Sequence, residues 1–179
     1  MKKILLPLAS AALVLMTMNA HATNGTVKFT GSIVKSTCTV NSNDVNKEVF
    51  IGKYPTNAFS KMGDVTASKA FSINLANCDS GSYTLRFDGP TVAGNPNLLA
   101  VSAATGVGIE ILDNNDKVLP INQSSDTNTA WVDAKNDSKD ASKPNGTAVF
   151  NLKARYKSYT DSVSAGEANA SSSFTIEYK

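Results

Sequence analysis

Residues 23–38 read TNGTVKFTGSIVKSTC. Thr23, Gly25, Val27, Phe29, Gly31 and Ile33 fall on one parity, and Asn24, Thr26, Lys28, Thr30 and Ser32 on the other. Successive side chains of a strand point to opposite faces, so this pattern predicts a strand with one apolar and one polar face. Two positions on the apolar face are glycines, notches where a second backbone can approach closely. Such a strand near the start of a chain has two destinations. It either begins its own sheet or pairs with the sheet of another molecule.

Ahead of it stand MKK, an apolar run from Ile4 to Met18, and Asn19-Ala20-His21-Ala22. These have the charged, apolar and small-residue segments of an export signal cleaved after Ala22. No later stretch has the roughly 18 consecutive apolar residues that a membrane helix requires. Residues 1–22 are therefore read as a signal peptide and residues 23–179 as the mature chain, a size that suits one domain with a sizeable core. Without Lys2 and Lys3 the 17 basic residues fall to 15, equal to the 15 acidic ones. A neutral chain whose only arginines are Arg86 and Arg155 is not expected to bind nucleic acid or anionic membranes. Zero net charge also permits self-association.

The single histidine, His21, lies in the signal peptide. The mature chain therefore has no Ser-His-Asp or Cys-His catalysis and no histidine-held zinc. Asp79, Asp88 and Glu110 form no recognisable catalytic constellation. The run Asp113-Asn114-Asn115-Asp116 lacks the Gly and the terminal Glu of a calcium loop, and reads as a solvated turn. No enzyme activity, catalytic residue, metal or cofactor is expected. Cys38 and Cys78 are an even pair in an exported chain without a C-x-x-C motif, so they read as a disulfide.

Beyond Cys38 the chain is a series of short alternating runs. Val45, Lys47, Val49 and Ile51 predict a strand ending at Gly52, followed by a loop from Lys53 to Thr66. Phe71, Ile73 and Leu75 lead into Cys78. Tyr83, Leu85 and Phe87 follow and stop at Gly89-Pro90, and Gly94-Asn95-Pro96-Asn97 predicts a turn before Leu98–Val101. Val107, Ile109 and Ile111 are joined by a hairpin loop to Val118–Ile121, and Trp131 sits in a weak strand over Thr129–Val132. Asp133–Asn145 predicts an exposed loop, and Phe150, Leu152, Ala154 and Tyr156 the longest internal strand. After a small, polar stretch around Gly166, the chain closes with Phe174, Ile176 and Tyr178 alternating with Thr175, Glu177 and Lys179. No window carries a convincing 3.6-residue apolar period, so the fold class is all-β, a sandwich.

The final strand has no successor to cover its edge, whereas an immunoglobulin-like sandwich would have one more strand there. At this point the sequence resembles the subunits of chaperone–usher fimbriae, the family of the type 1 and P pilus major pilins. The resemblance spans the mature chain through GTVKFTGSIVKSTCTVN, FSINLANC, GVGIEILDNNDKVLP and AGEANASSSFTIEYK. The penultimate Tyr178 and Gly166, at the fourteenth place from the C-terminus, match that family's terminal signature.

The resemblance implies an incomplete immunoglobulin-like sandwich lacking its last strand and completed by donor-strand exchange. Residues 23–35 would be the donor-strand extension and 36–179 the pilin domain. Gly25, Val27, Phe29, Gly31 and Ile33 would face the groove of a neighbouring copy. Gly166, Phe174, Ile176, Tyr178 and Lys179 would belong to the strand that accepts a chaperone or a neighbour. Implied partners are copies of the chain, other fimbrial subunits, a periplasmic chaperone and an outer-membrane usher, and the implied destination is the cell-surface fimbria. The function implied is that of a structural shaft subunit of an adhesive fimbria. The alternatives are a minor or adaptor subunit and, in a different class, a monomeric exported carbohydrate-binding sandwich.

Overall fold

The computed structural model describes residues 25–31, 38–124, 131–140 and 142–178. Among these residues nine strands follow one another: β1 Thr39–Val40, β2 Lys69–Cys78, β3 Gly81–Asp88, β4 Thr91–Val92, β5 Asn95–Ala100, β6 Val107–Asp113, β7 Val132–Ala134, β8 Gly146–Ser158 and β9 Ser173–Tyr178. The only helical element among the described residues is a 3-10 turn at Thr56–Ala58.

Six strands form one sheet in the order β1-β2-β8-β6-β5-β4, and three form the other in the order β7-β3-β9. Within these sheets every strand pair is antiparallel. The centre of the larger sheet is β8, whose alternation is the cleanest in the chain. Ala148, Phe150, Leu152 and Ala154 are buried while Thr147, Val149 and Asn151 are exposed. Tyr83, Leu85 and Phe87 of β3 face them across the sandwich, and Ile73, Leu75, Ile109 and Ile111 complete one continuous core. The disulfide joins Cys38 to Cys78, both in that core, and staples the entry of β1 to the end of β2.

The other face of β6 is also buried. Glu110 is fully enclosed, and its carboxylate accepts hydrogen bonds from Arg155 Nε at 2.8 Å and Lys157 Nζ at 2.7 Å. A buried carboxylate persists when cations and donors satisfy it, so Glu110 is a structural tie between β6 and β8. Asp88 is engaged by Arg86, and Asp79 by the Asn136 amide. Asp113 Oδ1 receives the backbone N–H groups of Asn115 and Lys117, which makes the acidic run a self-satisfied turn.

Several expectations need correction. Residues 25–31 form no strand, and Val27 and Phe29 are exposed. Val45–Ile51, whose alternation predicts a strand, is a turn followed by irregular chain. Alternation reports burial on one side, but a strand also needs a partner for its backbone. Among the described residues no backbone–backbone hydrogen bond reaches Val45–Tyr54. Asn95-Pro96-Asn97 belongs to β5, with the turn confined to Ala93-Gly94; the ladder partners of β5 fall at Asn95, Leu99 and Ala100, so no ladder donor is asked of Pro96. β7 begins after Trp131 and takes Asp133 and Ala134 out of the predicted loop to pair with Ser82 and Gly81. Thr129 and Ala130 lie outside the described residues, as do the signal peptide, Ile33 and Lys179.

Candidate functional site

Three strands cannot cover six. At about 4.8 Å between neighbours, the smaller sheet spans roughly half the width of the larger one. Among the described residues β9 stands at one end of that sheet, next to β3, in the register Tyr83↔Tyr178 to Asp88↔Ser173. Among the described residues no strand stands above the apolar face of the larger sheet beside the start of β9. Two adjoining cavities of about 690 and 630 Å³ occupy that place. They share Val49, Ile51, Ile109 and Ala170, so together they make one groove.

The floor is core: Phe71, Ile73, Phe87, Ile109 and Ile111. One wall is residues 45–56, and the other is residues 163–174, leading into β9. The walls run antiparallel, since the cavity that meets 45–49 also meets 170–174, and the cavity that meets 52–56 also meets 163–169. An apolar floor between two antiparallel walls fits one extended segment whose alternate side chains are apolar.

The 163–174 wall is held by backbone bonds to the loop before β6. Glu167 O accepts from Ala103 N at 2.8 Å and Ala104 N at 2.9 Å, and Asn169 O from Ser102 N at 2.9 Å. Thr105 and Ser164 exchange further bonds. Gly166 lies at the tightest part of this contact. A Cβ there would stand 2.8 Å from Ala104 N and 3.0 Å from the carbonyl carbon of Ala103, both backbone atoms that cannot yield. Tyr156 O–H donates to Ala168 O at 3.1 Å, and burial, with Tyr54 and Glu167 nearby, pushes its pKa up, so the donor stays protonated.

The 45–56 wall hangs from Asp44, buried at 2% exposure. Its carboxylate accepts from Lys47 Nζ at 2.5 Å, from the Asn74 backbone N–H at 2.9 Å and from Asn74 Nδ2 at 2.7 Å. The Lys47 bond, then those from Asn74, favour the charged form and hold the Asp44 pKa below its ordinary value. A folded-state pKa below the unfolded one means stabilisation that is fully present above the unfolded value of about 3.9 and lost as pH falls through the folded one. The thermal midpoint is therefore expected to gain no benefit from Asp44 at strongly acid pH. Comparing Asp44→Asn with the unaltered chain over pH 2–7 checks this, since the two melting curves should converge only toward the acid end.

The groove gathers Gly166 and Phe174 onto one wall, with Phe174 half-buried and its ring 6.3 Å from Phe87. Ile176 packs against the core, and Tyr178 sets its ring edge-on to Tyr83 at 5.2 Å. Neither lines the cavities. Gly25, Val27, Phe29 and Gly31 lie among residues 25–31, with Val27 75% and Phe29 90% exposed. Reading the sequence misses Asp44, Tyr156 and the 45–56 wall as parts of a site. Only the alternation of Val45, Lys47, Val49 and Ile51 hints at the wall.

Comparison with known proteins agrees with this architecture. The sequence model of the family described as Fimbrial protein matches residues 27–179. The chain is 55% identical over 186 residues to a type-1 fimbrial protein subunit of Serratia marcescens, covering 100% of each. It is 34% identical over 187 residues to long polar fimbria protein A of Salmonella typhimurium, covering 100% of this chain and 98% of that one. In fold it resembles the P pilus rod subunit PapA, with a TM-score of 0.64 at 21% identity over 80% of this chain and 100% of that structure.

Proposed function

Given that the chain belongs to the fimbrial protein family, we propose that it is a structural subunit of the shaft of an adhesive fimbria, polymerising by donor-strand exchange. Subunits of this family polymerise with other fimbrial subunits and are surface components. The observation that carries the reading is the apolar groove beside the residues that lead into β9, the strand at one end of the smaller sheet. In this reading residues 23–35 of one copy enter the groove of the next. Gly25, Val27, Phe29, Gly31 and Ile33 point to the floor, and the inserted backbone forms a ladder with β9. Gly25 and Gly31 would let the inserted backbone approach the floor closely.

During export through the periplasm a chaperone would fill the same groove and pair with β9, its basic residues holding the carboxylate of Lys179. An outer-membrane usher would then exchange the chaperone for the next subunit. The role is structural, with no catalysis.

Thermal unfolding of a truncated chain beginning at Lys35, with and without a peptide of residues 23–34, tests the groove. A ligand that binds only the folded state raises the midpoint, by about 2.7 kcal/mol of added stability at a hundredfold excess over Kd. A stable, monomeric truncated chain that ignores the peptide would mean that the sandwich is already complete.

A further inference from the structure

The same groove, taken as the strand acceptor, has a device that holds it open. β1 ends at Val40, opposite Leu75, while β2 continues to Asn74 and beyond, where among the described residues no strand pairs with its outer edge. At Asn74 both backbone groups face the β1 side. Its carbonyl accepts from Asn41 N at 2.9 Å, and its N–H donates to Asp44 Oδ2 at 2.9 Å. In an uninterrupted antiparallel ladder a backbone carbonyl would receive that N–H. Here a side-chain carboxylate takes its place, and the chain turns off the sheet, closed by Asp44 N donating to Asn41 O at 2.8 Å.

Asp44 is the buried residue in a turn whose neighbours Asn43, Val45 and Asn46 are all exposed. Burying a carboxylate is costly, and it is satisfied here by the Asn74 amides and the Lys47 ammonium. Beyond it, Val45–Ile51 has the apolar alternation of a strand and no backbone partner among the described residues.

We propose that Asp44 is a positioning residue for strand uptake: by capping β2 at Asn74 it diverts Val45–Ile51 from the sheet edge to the rim of the groove and fixes that wall at the spacing an incoming strand needs. This rests on the groove being the strand acceptor. Without the cap, the Asn74 N–H is free to recruit a backbone carbonyl, and the alternating Val45–Ile51 run can extend the β1–β2 ladder or drift across the floor. Lys47 holds the carboxylate charged from the solvent side, and the Asn74 amide fixes its orientation.

The test uses the full mature chain and a fluorescent peptide of residues 23–34, at a temperature well below every variant's melting midpoint. Asp44→Ala is expected to weaken peptide uptake on the order of tenfold and to speed amide hydrogen exchange across Val45–Ile51. Asp44→Asn, which keeps an oxygen acceptor for the Asn74 amides, is expected to restore most of the uptake. Lys47→Met leaves the cap in place and removes only the ion pair, so it should lose less than Asp44→Ala. It also serves as the working variant if Asp44→Ala fails to fold. Uptake by Asp44→Ala equal to that of the unaltered chain overturns the proposal, as does failure of Asp44→Asn to exceed Asp44→Ala. If the unaltered chain takes up no peptide, the acceptor reading fails instead. The exchange rates of Val45–Ile51 then decide on their own whether Asp44 holds the wall, and unchanged rates overturn it.

Discussion

Replacing Phe29 with aspartate is expected to abolish polymerisation while leaving the domain folded. Phe29 is 90% exposed in the single chain, so the substitution removes no core contact there. In the proposed fibre the same ring would leave water for the apolar floor, a transfer worth about 1.5–3 kcal/mol. An aspartate sent there loses that gain and also carries a carboxylate into a site lined by Phe71, Ile73, Phe87, Ile109 and Ile111, which costs several kcal/mol more. Together these terms amount to about 5 kcal/mol, or more than a thousandfold in strand affinity. Electron microscopy and sedimentation of the Phe29→Asp chain should show monomers under conditions in which the unaltered chain forms fibres. Lys28→Asp is the control. It sits on the opposite parity, the polar face, and should assemble nearly normally. Fibres of ordinary length from Phe29→Asp would sink the donor-strand assignment, whereas loss of assembly in both variants would point to charge rather than to the groove.

The second large effect is expected from removing the disulfide. Cys38 and Cys78 are 40 residues apart. Closing a loop of that length restricts the unfolded chain by about 4 kcal/mol in the chain-entropy model. The thermal midpoint of Cys38→Ser with Cys78→Ser should therefore fall by about 10 °C in a domain of this size. The two buried sulfurs also belong to the core, so hydroxyls in their place add to the loss. The loop they close contains Asp44 and the whole 45–56 wall. Loosening its start should accordingly reduce strand uptake in the double variant more than a comparable loss of stability introduced elsewhere, for instance by Leu112→Ala, buried in β6 away from the groove. Calorimetry of the oxidised chain and the double variant gives the first number, and peptide uptake the second. A midpoint within a degree or two of the original would mean that the unfolded chain is already restricted by other means.

Much of the architecture is legible in single-residue alternation. Phe71–Ile73–Leu75, Tyr83–Leu85–Phe87, Val107–Ile109–Ile111 and Phe150–Leu152–Ala154 each predict a strand, and each is one. Every second residue along them meets the opposite sheet, which leaves a repeating mark in the sequence. The cysteine pair is legible for a related reason, since an even pair in an exported chain has few alternatives.

The groove is less legible, because its walls depend on partners far away in the chain. Val45, Lys47, Val49 and Ile51 alternate as clearly as the residues of β3, yet they form a wall and not a strand. The reason lies thirty residues on, where Asn74 N–H is occupied by Asp44. Nothing in Asn-Ser-Asn-Asp marks its last residue as the buried one. Gly166 stands out in the sequence as a matching position, but the need for glycine there comes from the backbone of Ala103 and Ala104, sixty residues earlier. By itself the sequence determined the strands β2, β3, β6 and β8, their inward faces, the disulfide and the all-β sandwich, because side-chain alternation and cysteine count are local properties. The tertiary structure alone decided which alternating run pairs and which lines a groove, because a backbone hydrogen bond is settled by whatever group the rest of the fold brings within about 3 Å.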